Sequence, residues 1–185
     1  MMDRRSALFL GAAAALAACS RAPEVPRGTD GKPLPQVYVI QPGSESTISF
    51  RMLDGLNALR NAKGLTELGF NAELNAASAT HARDMAVQNR PWHFGSDGSS
   101  PLVRAQRIGY GGKLLGELIS ETFETELLTL SDWMGQQDTR DVLLDSRATD
   151  FGFAWFQETS GKIWWVALIG QAGGTFAMPN PNLSQ

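Results

Sequence analysis

Apolar positions recur at helical spacing along much of the chain. In 46–62, Ile48, Met52, Leu56 and Leu59 fall on one side of a 3.6-residue period, and Gly64 stands where a left-handed residue ends a helix. Asn71 has the side chain of an N-cap for a second helix reaching Asn89, with the stripe Leu74, Ala77, Ser78, His81 and Met85. Residues 91–100 are dense in turn formers, and Pro101 opens a short third helix that ends near Gly109. Residues 114–120 read as extended. A further helix is expected over 122–136, with Phe123, Leu127, Leu130 and Trp133 or Met134 along one side, then a helical turn over 138–144.

The period then changes. Two runs rich in aromatic and β-branched residues, 150–157 and 162–169, flank the turn signal Glu158-Thr159-Ser160-Gly161 and predict a β-hairpin. Helices first and a hairpin late indicate an α+β fold, with helices packed around a small antiparallel sheet. Trp164 and Trp165 are adjacent in a strand and must face opposite sides; helices on both faces would bury both. That makes a ligand platform of Trp155, Trp164 and Trp165 the weaker reading. His81 lies on an apolar stripe and reads as a satisfied core or boundary histidine.

The first residues follow no such pattern. Arg4 and Arg5 precede an uncharged run of Leu, Phe, Gly and Ala, far shorter than the roughly 20 residues of a bilayer span. Leu16-Ala17-Ala18-Cys19 resembles a bacterial lipobox, in which Cys19 is acylated and becomes the new N-terminus. Arg4-Arg5-Ser6 also resembles a twin-arginine export signal. The chain has one cysteine, so it has no internal disulfide, and a thiol given to lipid accounts for it. Pro23, Pro26, Pro33, Pro35 and Pro42 then mark an extended tether, with a short strand expected around 37–40. The division expected is signal peptide 1–18, lipid-anchored tether 19–45, domain 46–172 and irregular tail 173–185. The partner implied for Cys19 is membrane lipid. Ser20, rather than Asp, after the cysteine implies the periplasmic face of the outer membrane of a Gram-negative cell envelope.

Charge narrows the partners. Lys and Arg total 16 against 19 Asp and Glu, for a net charge of −3, and no basic cluster follows Cys19. Nucleic-acid binding rests on phosphate neutralisation, so it is excluded as an expectation.

The order of short motifs is more specific than any one of them. Ala79-Thr80-His81-Ala82-Arg83-Asp84-Met85 is followed by His93, Asp97-Gly98, Arg107-Ile108-Gly109-Tyr110 and Gly116-Glu117. Trp133-Met134, Arg140-Asp141-Val142-Leu143, Asp150-Phe151-Gly152 and Trp164-Trp165 complete the series. Over about 48–170 this resembles the CAP superfamily (SCP-like; cysteine-rich secretory, antigen 5 and pathogenesis-related proteins) in its short bacterial form. The resemblance implies an α-β-α sandwich and an extracytoplasmic location. It also implies a cleft which in some members holds a divalent metal between two His and two acidic residues.

Matched residue by residue, His93 takes the first His and Glu117 the first Glu. Gln136 stands at the second Glu, Thr139 at the second His, and Leu118 where an Asn is usual. A neutral amide and a hydroxyl are poor zinc ligands, so no metal and no other cofactor is expected. The ligand-binding cleft expected is therefore His93, Glu117, Gln136 and Thr139. His93 beside Glu117 would suit acid–base chemistry or simply pin loop to strand. Ser96, Ser99 and Ser100 lie near His93 without a nucleophile elbow. The function these residues favour is binding of a lipid, a small molecule or an envelope protein. The alternative is a hydrolase acting on peptide or cell-wall material.

Overall fold

A computed structural model describes residues 37–173. The expected signal peptide, Cys19, most of the expected tether and the residues beyond 173 lie outside the described residues. The elements are α1 (Glu45–Asn61), β1 (Gly69–Phe70), α2 (Ala72–Gln88), α3 (Pro101–Arg107), β2 (Lys113–Thr122), α4 (Glu126–Gly135), α5 (Gln137–Leu143), β3 (Asp150–Gln157) and β4 (Ile163–Gln171). The sheet order is β1-β3-β4-β2. Three strands are antiparallel neighbours, whereas β1 pairs with β3 in parallel, so the sheet is mixed rather than wholly antiparallel. Those two residues of β1 are too short to leave a period in the sequence.

The local chemistry is what sets the ends. Asn71 accepts a hydrogen bond from Leu74 N–H at 2.9 Å and starts α2, as its side chain suggested. Ser100 does the same for α3 ahead of Pro101. Thr125 caps α4, which therefore begins later than the apolar pattern implied. Thr122 closes β2 instead, and Phe123 stands 44 % exposed outside the helix. Gly64 has φ +69° and sits two residues beyond the α1 cap position, where the chain reverses. Segment 37–40 forms no strand. Its backbone is held by Phe123 O, at 3.0 Å from Tyr38 N, and by the Gln157 side chain, which bonds both Ile40 N and Tyr38 O.

Packing forms a sandwich. Trp165, Ala167 and Ile169 of β4 meet Phe151 and Phe153 of β3 and the apolar face of α1 in one core. On the other face Leu168 packs with Leu74 and Ala77 of α2, and Trp164 and Val166 pack with Ala82 and Met85. Both tryptophans are fully buried on opposite faces.

Three of the sequence motifs turn out to be packing devices. A Cβ on Gly152 would collide with the backbone of Leu74, so the missing side chain lets α2 lie directly on β3. Tyr110 donates to Asp150 at 2.8 Å and to Gln171 O at 3.1 Å, and Gly170 leaves room for that phenol. Gly116 admits Val142, whose methyl would be 2.6 Å from an added Cβ, and so brings α5 onto β2.

Candidate functional site

Glu117 follows a register shift in the β2–β4 pairing between Leu114 and Gly116. Its side chain is only 1 % exposed, and an isolated buried carboxylate would be very costly. It is not isolated. Arg104 of α3 donates to Glu117 Oε2 at 2.6 Å, and His93 Nδ1 lies 2.9 Å from Oε1. Arg104 also donates to the carbonyl oxygens of His93 and Ser99, both at 2.9 Å. One guanidinium thus fixes the carboxylate and the loop that carries the imidazole. A carboxylate oxygen accepts, so Nδ1 carries the proton and Nε2 of His93, on a half-exposed ring, is left for a ligand.

A second histidine belongs to the arrangement. His81 is fully buried, as its place on the α2 stripe implied, but it is not a fully satisfied core residue. Its Nε2 lies 3.0 Å from Trp92 O and 3.7 Å from Glu117 Oε1, and its Nδ1 has no partner. Burial holds its pKa below the ordinary histidine value against the opposing pull of Glu117.

The four residues selected from the sequence do come together. His93, Glu117, Gln136 and Thr139 line one concavity of about 430 Å³, together with Trp92, Leu118, Asp138 and Val142. His93 and Glu117 also border a second, more apolar hollow of about 350 Å³ formed with Leu102, Leu114 and Leu115. The imidazole therefore stands between two concavities. Thr139 spends its hydroxyl on the carbonyl of Trp133 and so acts mainly to join α4 to α5.

Arg104 was not read from the sequence. The apolar residues Leu102 and Val103 of its helix and Ile108 at its C-cap are 51 %, 41 % and 42 % exposed, while Arg104 and Ala105 face inward. A pattern rule points this short helix the wrong way, and no local signal identifies the buried cation.

These residues do not suit the divalent metal that the resemblance implies for some members. Among the described residues no group of three or more His, Cys, Asp or Glu is placed to hold an ion. Glu117 is taken up by His93 and Arg104, and a guanidinium 2.6 Å away opposes a divalent cation at the same oxygens. Ser96, Ser99 and Ser100 make no hydrogen bond to the His93 ring; Ser100 instead caps α3.

The sequence pattern of the cysteine-rich secretory protein family, CAP, matches residues 53–169. The chain belongs to this family. It is 26 % identical over 130 residues to the uncharacterized protein YkwD of Bacillus subtilis (strain 168), covering 70 % of this chain and 50 % of that one. The chain thus spans about half the length of that curated relative. Among solved structures, the fold resembles an outer surface protein from Borrelia burgdorferi (TM-score 0.65, 15 % identity, 75 % of this chain and 100 % of that one). It also resembles an extracellular protein containing an SCP domain from Bacillus anthracis (TM-score 0.64, 20 % identity, 72 % of this chain and 45 % of that one). These likenesses agree with the α+β sandwich expected of a CAP domain. No described helix is long and apolar enough to cross a membrane.

Proposed function

We propose that this CAP domain is a binding module of the cell envelope, held by lipid on Cys19 at the periplasmic face of the outer membrane. The ligand enters the cleft of His93, Glu117, Gln136 and Thr139. The observation that carries the reading is how these groups are used. Glu117 is neutralised by Arg104, Thr139 is bonded to the backbone, and the outward nitrogen of His93 and the exposed Gln136 amide are left open on the wall. That is the form of a pre-organised recognition site, with few oriented polar groups on an apolar base. An outer-surface protein and an extracellular protein of the same fold accord with this location.

The test is ligand-dependent thermal stabilisation of the full chain against lipids, small metabolites and envelope extracts, since a ligand specific to the folded state raises apparent stability. Stabilisation lost in His93→Ala supports the cleft; stabilisation unchanged in that variant removes it. Intact mass after membrane extraction tests the anchor separately, and a chain without acyl mass at Cys19 overturns it.

One observation favours the second reading, a hydrolase of peptide or cell-wall material. A half-exposed imidazole oriented by a buried carboxylate is also the arrangement of a general base. Hydrolysis of a peptide or peptidoglycan panel that disappears in His93→Ala, a variant that keeps the buried Arg104–Glu117 pair, would favour it over binding.

A further inference from the structure

The outer edge of the sheet runs along β2, and the ladder bonds show which of its main-chain groups are turned outward. At the β3–β4 hairpin Glu158 N–H donates to Lys162 O at 2.8 Å. With the register of that pair, the even-numbered residues of β4 turn their main chain to β3 and the odd-numbered ones turn theirs to β2. Trp165, Ala167 and Ile169 lie opposite Ser120, Leu118 and Gly116. The alternate residues Glu117, Ile119 and Glu121 therefore direct N–H and C=O away from the sheet.

Proteins commonly cover such an edge, and this chain covers part of it. Phe123 O accepts from Tyr38 N–H at 3.0 Å, and Ile119 O accepts from the Trp133 indole N–H at 3.2 Å. Glu117 differs. Its side chain is 1 % exposed, yet the residue as a whole is part-exposed, so the surface it shows to solvent is main chain. Among the described residues none bonds its N–H or C=O on this side.

This open point lies in the cleft beside His93. The apolar hollow of Leu102, Leu114 and Leu115 borders it at one end, and the hollow of Leu118, Ile119 and Asp138 at the other. From Leu114 to Ile119 the strand is about 17 Å long at about 3.4 Å per residue, enough for about five residues alongside. Outward donors and acceptors at strand spacing are matched by another extended main chain, and a lipid tail has no groups to offer them. The charge on the wall is also unmatched. Asp138 is exposed and, among the described residues, accepts only from Thr139 N–H, whereas Glu117 already has Arg104.

We propose that the cleft receives an extended peptide segment of another protein, laid as a further strand on the edge of β2. One peptide residue exchanges main-chain hydrogen bonds with Glu117. An apolar side chain on one side of it enters the hollow of Leu102, Leu114 and Leu115, and a basic side chain on the other reaches Asp138. The inference rests on the reading of this cleft as a binding site and names the class of its partner.

The experiment is NMR titration of the full-length chain with acetyl-Leu-Thr-Val-Thr-Lys-amide and with the reversed order acetyl-Lys-Thr-Val-Thr-Leu-amide, because a strand can add in either direction. At least one should bind with a Kd of about 1 mM or tighter and slow hydrogen exchange of the Glu117 amide. N-methylation of one peptide residue at a time should weaken binding about tenfold or more at alternate positions, since only every second N–H faces the strand. Absence of saturable binding by both peptides up to about 10 mM overturns the proposal. An N-methyl series without alternation does so too, because side chains alone would then hold the peptide. Protection of the Glu117 amide in the free chain, by a second copy or by residues 174–185, also overturns it. Thermal stabilisation by a lipid or metabolite that depends on His93, with neither peptide bound, would remove this inference and leave the cleft a binding site.

Discussion

His93 Nδ1 lies 2.9 Å from Glu117 Oε1, one partner half exposed on a loop and the other 1 % exposed on an edge strand. The bond spans the boundary between solvent and core. The buried side of that boundary is where the energetic consequences fall, because Glu117 is the counter-charge of a cation that is itself 7 % exposed.

Replacing Glu117 by Gln should therefore destabilise the fold, not only the cleft. Arg104 would be left as a buried charge without its anion, a change that costs about 3–5 kcal/mol when one partner of such a pair is removed. His93→Ala, at the exposed end, should cost less than about 1 kcal/mol. Urea unfolding of the two variants checks this. A Glu117→Gln loss no larger than that of His93→Ala would show that the Arg104–Glu117 pair does not bear the stability assigned to it.

The fold was legible where a side chain acts on its own neighbourhood. Asn71 caps the helix it precedes, Gly161 turns the hairpin with φ +89°, and two adjacent tryptophans fall on opposite faces. It was not legible where tertiary contacts choose the face. Leu59 completes the apolar stripe of α1 but is 37 % exposed, while Arg60 is fully buried. In the site, His93 and Glu117 were readable because motif order preserves them. Arg104 was not, because its meaning depends on a carboxylate brought to it by another strand.

Arg60 should prove among the least replaceable residues. It donates to the carbonyl oxygens of Thr66, Leu143 and Asp145 at 2.7–3.1 Å and of Ala148 at 3.3 Å, tying the end of α1 to the segment after α5. Burial lowers its pKa, with Asp145 opposing. Arg60→Met removes the donors and leaves carbonyls unpaired, each lost bond costing about 1 kcal/mol, for a total of about 3 kcal/mol or more. Chemical denaturation giving a loss under about 1 kcal/mol would contradict this account.

Gly152→Ala should be costly and Gly135→Ala should not. The new methyl at 152 meets the backbone of Leu74, which cannot rotate aside, so α2 must lift from β3. Such overpacking costs about 1–3 kcal/mol. At 135 nothing lies within 4 Å of the added carbon, and φ is not in the left-handed region. Thermal melts of the two variants should separate clearly. Equal shifts would mean that α2 does not rest on Gly152 as described.

Acid should act on this protein in two separate windows. His81 is held neutral by burial, so its folded pKa lies below its unfolded value of about 6.5. As pH falls below that value the unfolded chain takes up a proton that the folded chain refuses, and stability declines. Asp145 behaves differently. Its pKa is lowered to about 2, chiefly by its hydrogen bond from Arg147, so the stability it contributes is present above an unfolded value near 4 and is lost as pH falls toward 2. Unfolding free energies measured from pH 8 to pH 3 should therefore begin to drop near pH 6.5, well before the carboxylates titrate. His81→Gln should remove that first decline, because an amide can donate to Trp92 O without titrating, and should leave the decline below pH 4 in place. An unaltered slope between pH 7 and pH 5 in this variant would mean that His81 is not the group that senses acid.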